Sequence, residues 1–134
     1  MSPSDAQVAS PGRPCRVVIC DDQQGFRHVL SVMLGLETGL DVVGEAENGR
    51  EAIDLVGELR PDVLLLDIAM PVMDGLDALP HVREASPETA VLMLSGLTSD
   101  AVRRRALAAG ARLFLEKGTD VDVLAQQIRD ACAG

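Results

Sequence analysis

Five residues of this chain could do chemistry together: Asp21, Asp22, Asp67, Ser95 and Lys117. Each follows or closes a short apolar run. Asp21-Asp22 follow Arg16-Val17-Val18-Ile19-Cys20, Asp67 follows Val63-Leu64-Leu65-Leu66, Ser95 follows Ala90 to Leu94, and Lys117 follows Leu113-Phe114-Leu115-Glu116. Three carboxylates brought close would repel and raise one another's pKa unless a cation neutralised them. A hard divalent ion with oxygen ligands suits such a group, and Mg²⁺ commonly uses one or two carboxylates with phosphate oxygens and waters. Taken singly, each residue has a plainer role. Asp21-Asp22 could cap a helix, Asp67 and Ser95 could stand in turns, and Lys117 could simply be solvated. Chemistry is argued by their recurrence at the ends of four strands.

The elements that must position them read as alternating strands and helices. The run ending at Asp67 is continuously apolar, preceded by Pro61 and closed by Met70-Pro71, as in a strand buried on both faces. A second strand is expected over Asp41 to Glu45, after a break at Gly39. Phe26, Val29, Leu30, Met33 and Leu34 recur at helical spacing after the first strand. Asn48-Gly49 reads as a turn, and Ala52, Leu55, Val56 and Leu59 mark a second helix that Pro61 ends. A third helix runs from Gly75 to about Ala85, with Pro80 inside it, where a donor is lost and a kink is expected. Ser99 suits the N-cap and Gly110 the C-terminal cap of a fourth helix. Asp120 is expected to cap a fifth, whose Val121, Leu124, Ile128 and Ala131 share a face. Five strands alternating with five helices imply an α/β three-layer sandwich on a parallel sheet. In such a sheet the strand ends meet at one edge, where ligands bind.

Composition narrows the functional classes. Aromatic residues are only 1 % of the chain, so aliphatic side chains must fill the core. A net charge of −9 argues against direct nucleic-acid binding, which needs a basic face. Arg103-Arg104-Arg105 reads as a solvated helix face. Cys15, Cys20 and Cys132 show no CxxC or Cys/His metal spacing, and Cys20 reads as a small buried hydrophobe. An odd cysteine count without a secretory segment fits a reducing, cytoplasmic setting, and no apolar stretch is long enough for a membrane span. Residues 1 to 14 are expected to be a disordered leader, with one domain over 15 to 134.

Asp21-Asp22, the stretch Asp67-Ile-Ala-Met-Pro-Val-Met-Asp-Gly75, Ser95-Gly96 and Phe114-Leu-Glu-Lys117 together resemble the receiver domain of two-component response regulators. Val42-Val43-Gly44-Glu45-Ala46 and Gly110-Ala111-Arg112 look most like receivers of the NarL/FixJ type. The resemblance implies a five-stranded sheet in the flavodoxin-like order 2-1-3-4-5. It implies that Asp67 accepts a phosphoryl group from a sensor histidine kinase, a phosphotransfer protein or a small donor such as acetyl phosphate. Asp22, Asp67 and the backbone carbonyl of Ala69 would hold Mg²⁺, with Asp21 assisting through water. Lys117 would pair with the phosphoryl oxygens and Ser95 would donate a hydrogen bond to one of them. Ser95 and Phe114 would then act as the switch, biasing the fourth helix, fifth strand and fifth helix toward control of an output domain or partner. A homodimer is compatible with this family, and its NarL-like features suggest a longer DNA-binding regulator as one setting for the domain.

Two departures stand out. Gly118 follows Lys117 where many relatives have proline, so no cis bond is expected, and Pro80 does not fit the pattern. The side chains expected beside the site, Ala69 and Leu97, are apolar. Two competing readings are an interaction module that works without phosphorylation and a Mg²⁺-dependent aspartyl-phosphate phosphatase. The second would need an acid or base two residues after the nucleophile, and that position is Ala69. The chain is therefore expected to catalyse only its own phosphoryl transfer and dephosphorylation.

Overall fold

The computed structural model describes residues 13–96 and 99–134. Strands and helices alternate as β1 (Cys15–Cys20), α1 (Gln24–Gly35), β2 (Leu40–Ala46), α2 (Gly49–Leu59), β3 (Val63–Leu66), α3 (Gly75–Ala85), β4 (Ala90–Ser95), α4 (Asp100–Ala108), β5 (Leu113–Glu116) and α5 (Val121–Ala133). The sheet order is β2-β1-β3-β4-β5, and every neighbouring pair is parallel. The expected flavodoxin-like order is the one found.

The layers follow from the two-residue period of the strands. Val17 and Ile19 of β1 pack with Leu30 and Leu34 of α1 and with Leu124, Ala125 and Ile128 of α5. Val18 and Cys20, one residue out of step, pack on the other side with Ala52 and Val56 of α2, Leu79 and Val82 of α3 and Ala106 of α4. All four residues of β3 are buried, because helices cover both faces of the central strand. Its hydrophobic run therefore leads straight to the sheet edge at Asp67.

Local chemistry sets the element ends, with some departures from expectation. Gly49 is the first residue of α2 rather than part of a turn. The Asn48 side chain caps that helix by accepting from Glu51 N at 2.9 Å, a role asparagine fills as readily as a turn. Helix α2 stops at Arg60, left-handed at φ 46°, immediately before Pro61. Ser99 caps α4 by accepting from Val102 N. Asp120 stands at the N-cap of α5, yet its side chain makes no capping bond. Helix α3 continues through Pro80, which is exposed. On α1, Leu30 and Leu34 are buried, but Val29 and Met33 are 56 % and 43 % exposed, so the buried stripe is narrower than the apolar one. No cis peptide occurs among the described residues, Lys117-Gly118 included. Cys20 is buried as expected, and burial pushes its thiol up to about 12. Among the described residues, no helix is long and apolar enough to cross a membrane. The leader read over 1 to 14 lies outside the described residues as far as residue 12.

Candidate functional site

The carboxyl edge of the sheet gathers Asp21 and Asp22 after β1, Asp67 after β3, Ser95 at the end of β4 and Lys117 after β5. Backbone pairing continues past the strands and fixes these residues in depth. Asp67 N donates to Cys20 O at 3.0 Å, Asp21 N to Ala46 O at 3.0 Å, and Lys117 N to Ser95 O at 2.9 Å. The catalytic candidates thus hang on extensions of the ladder rather than on free loops.

Lys117 is the electrostatic centre. Its Nζ lies 2.8 Å from Asp21 Oδ2 and 3.2 Å from Asp67 Oδ2. It also donates to Gln23 Oε1 at 3.2 Å and sits 5.0 Å from the centroid of the Phe26 ring. The carboxylates have their own anchors: Asp21 Oδ1 accepts from Gln23 N, and Asp67 Oδ1 accepts from Ile68 N, both at 2.8 Å. Arg27 Nη1 donates to Asp21 O at 2.6 Å. Asp21, Asp67 and Ser95 are all buried, whereas Asp22 and Ala69 are exposed.

One lysine does not balance these charges. Oxygens of Asp21, Asp22 and Asp67 all lie within 4.8 Å of one another. Burial, and then the charge of Asp21, push the Asp67 carboxyl up to about 6 in spite of Lys117. The same surroundings raise Lys117, whose hydrogen bond to Asp21 and the two carboxylate charges outweigh its burial. Three oxygen donors with excess negative charge, one of them facing solvent, fit a hard divalent cation. The cleft above them measures about 340 Å³ and is lined by Asp22, Gln23, Asp67, Ala69, Ser95, Gly96 and Lys117. Of the expected site residues, Asp22, Asp67, Ala69, Ser95 and Lys117 line it, Asp21 reaches it through Lys117, and Phe114 lies outside it. Leu97, expected beside the site, lies outside the described residues.

Phe114 is buried beneath the Arg103 guanidinium, whose carbon stands 6.0 Å from the ring centroid. Ser99, Asp100, Arg103 and Glu116 join it around a cavity of about 170 Å³. Arg103, Arg104 and Arg105 are exposed, as the reading of a solvated helix face expects, and Arg103 also stands over this ring. Gln23, Phe26 and Arg27 also escaped the sequence reading. Phe26 was visible only as part of an apolar stripe, and Gln23 as a polar residue after two aspartates.

Residues 17–129 match the family described as response regulator receiver domain. A protein-glutamate methylesterase/protein-glutamine glutaminase of Alkalilimnicola ehrlichii is 45 % identical over 104 residues, which are 76 % of this chain and 26 % of that protein. The response regulator protein VraR of Staphylococcus saprophyticus is 35 % identical over 116 residues, 87 % of this chain and 56 % of that one. Among solved structures, the signal receiver domain of a protein designated NarL from Mycobacterium tuberculosis superposes with a TM-score of 0.86. It is 36 % identical, covering 91 % of this chain and 98 % of that one. The chain spans about a quarter of the methylesterase relative and about half of VraR. With a family match across nearly the whole described chain and the same fold at that identity, the chain belongs to the response regulator receiver domain family.

Proposed function

We propose that the chain is a phosphorylation-operated signalling switch in which Asp67 is the acceptor. One observation carries this reading: Asp67 is buried at the end of β3, ion-paired to Lys117, and still opens onto a cleft shared with Asp22, Ala69 and Ser95. A carboxylate oxygen of Asp67 attacks the phosphorus of a phosphohistidine or acetyl phosphate. The bond from phosphorus to the donor breaks, an acyl phosphate forms, and the donor leaves with its electron pair.

Each neighbour has a part in that transfer. Lys117 sits 3.2 Å from Asp67 Oδ2 and can move its charge onto the incoming phosphoryl oxygens. Ser95, at the floor of the same cleft, offers a hydroxyl donor. Asp21, Asp22, Asp67 and the Ala69 carbonyl would hold Mg²⁺, which when bound supplies neutralisation of the phosphoryl charge. Phosphoryl transfer depends chiefly on positioning and charge stabilisation, so this set is sufficient. Ala69, two residues on, is apolar and cannot activate water, which favours a persistent phosphoryl group over a phosphatase cycle.

The donor would be a sensor histidine kinase or phosphotransfer protein, in the cytoplasm. Ser95 and Phe114 would carry the change to the face built by α4, β5 and α5, which controls an output domain or partner. The test is intact mass after incubation with Mg²⁺ and acetyl phosphate. A gain of about 80 Da for one phosphoryl group, dependent on Mg²⁺ and absent in Asp67→Asn, is the expected result. No adduct from acetyl phosphate or from a panel of phosphorylated kinases would overturn the proposal in favour of an interaction module that works unphosphorylated.

A further inference from the structure

At the opposite end of the sheet from Asp67, three side chains from distant parts of the chain converge. Cys15 opens β1, Asp62 immediately precedes β3, and Cys132 lies in the last turn of α5. The two sulfurs and a carboxylate oxygen of Asp62 all lie within 4.8 Å of one another. We infer that these three residues form a Zn²⁺ site, separate from the acidic site and left unused by phosphoryl transfer.

The donor set selects the metal class. Two thiolates and one carboxylate suit Zn²⁺, which takes sulfur and oxygen ligands in a tetrahedron; Mg²⁺ and Ca²⁺ demand oxygen alone. In a zinc site with bonds of about 2.0–2.3 Å, ligand atoms stand roughly 3.5 Å apart, so atoms within 4.8 Å of one another need to close by no more than about 1.3 Å. Cys132 can supply that movement, being half-buried on the end of a helix. The other two ligands are held. Asp62 Oδ2 accepts from Arg16 N at 2.9 Å, while Asp62 N donates to Arg16 O and its carbonyl accepts from Ala90 N, each at 2.9 Å. Cys15 is buried, with its own N–H donating to Gly39 O at 2.8 Å. A carboxylate oriented by a backbone donor is the usual outer support of a zinc site.

Three protein ligands leave a fourth position for water on the half-exposed side of Asp62 and Cys132. Arg13, whose Nη2 is 3.9 Å from Asp62 Oδ1, is near enough to offset the surplus negative charge of two thiolates and a carboxylate around a divalent ion. Two thiols alone would serve a disulfide equally well. The carboxylate held beside the two sulfurs is what favours a cation over a disulfide, since it supplies a third ligand. The length of β1, six residues at about 3.3 Å each, separates this cluster from the acidic site by roughly 20 Å.

The test is titration of the reduced, Mg²⁺-free protein with Zn²⁺, and with Cd²⁺ as an optical probe. One equivalent of Cd²⁺ should give a thiolate-to-metal absorption band that Zn²⁺ abolishes and excess Mg²⁺ does not. Bound Zn²⁺ should protect Cys132 from alkylation. Cys132→Ser should remove the band, and Asp62→Asn, which keeps an acceptor for Arg16, should weaken Zn²⁺ binding by about tenfold or more. Asp67→Asn should bind as the wild type does. Overturning results would be no saturation at one equivalent, a band that survives in Cys132→Ser, or Cys15 and Cys132 forming a disulfide while Zn²⁺ leaves their alkylation unchanged.

Discussion

Gly75 is pressed against the backbone carbonyl of Asp67 so closely that a Cβ built on the glycine would overlap that oxygen. The contact is maintained by Gly75 N, which donates to Ile68 O at 2.8 Å. The first residue of α3 is thereby locked to the acceptor, and no flexible side-chain tip is available to yield. Gly75→Ala must push the Asp67 backbone or the start of α3 aside. The expected cost is about 2–3 kcal/mol, typical of forced overpacking, read as a lower urea midpoint. Phosphoryl uptake should fall with it, because the displaced atoms belong to the acceptor. Wild-type stability and uptake in Gly75→Ala would refute the assignment of this contact.

Asp67 itself makes the metal-free fold sensitive to pH. Its carboxyl is pushed up to about 6 from an ordinary 3.8, so the folded chain holds this proton more tightly than the unfolded one. That contribution to stability is full below about pH 4 and is lost as pH rises through about 6. Above it, keeping Asp67 charged costs roughly 3 kcal/mol. Without divalent ions, Asp67→Asn should therefore be the more stable protein at about pH 8, by 1–3 kcal/mol. The gap should shrink toward about pH 4, and should also shrink in Mg²⁺, which stabilises the wild type by about 2.7 kcal/mol at a hundredfold excess over Kd. Chemical denaturation across pH tests this. A gap that stays constant with pH would mean that Asp67 titrates normally.

Lys117 already neutralises part of the carboxylate charge that a metal would meet. Removing the lysine as Lys117→Met leaves Asp21 and Asp67, both buried, without the cation that pairs them. Breaking a fully buried pair costs about 3–5 kcal/mol, but here the cleft is open and Asp67 can take up a proton, so about 1–3 kcal/mol is expected. Mg²⁺ should then bind more tightly, since its competitor is gone, while phosphoryl uptake should slow. The double variant Lys117→Met/Asp67→Asn should lose less stability than the two single changes would suggest, the mark of a direct coupling. Calorimetric Mg²⁺ titration of the four proteins decides it; equal affinities in wild type and Lys117→Met would refute the competition.

Much of this arrangement was legible in the sequence, for a physical reason. Val63-Leu64-Leu65-Leu66 can be continuously apolar only where both sheet faces are covered, and parallel strands bring all their carboxyl ends to one edge. Asp21, Asp67, Ser95 and Lys117 could therefore be grouped without coordinates. The support of Lys117 was hidden, because its bond to Gln23 spans 94 residues and Phe26 carries the same apolar signature as the buried side of α1. Asn48 offered two local roles, turn and cap, and only the start of α2 decides between them. Cys15 and Cys132 are far apart in the sequence, and nothing in their spacing indicates that β1 and α5 bring them beside Asp62.

Val72 stores strain in the segment between Asp67 and α3. Met73 N donates to Pro71 O at 2.8 Å, closing a three-residue turn around Val72, which sits at φ 70°. A β-branched residue in that region is unfavourable by about 1–3 kcal/mol. Nothing offsets this through burial, as the side chain is 82 % exposed. Glycine would relieve the strain but give back about 0.5–1 kcal/mol of backbone entropy. Asparagine tolerates the left-handed region without that loss. Val72→Asn should therefore stabilise the protein by about 1 kcal/mol, and by more than Val72→Gly, in urea denaturation. A Val72→Asn protein less stable than wild type would mean that the turn is held by contacts of the valine rather than in spite of it.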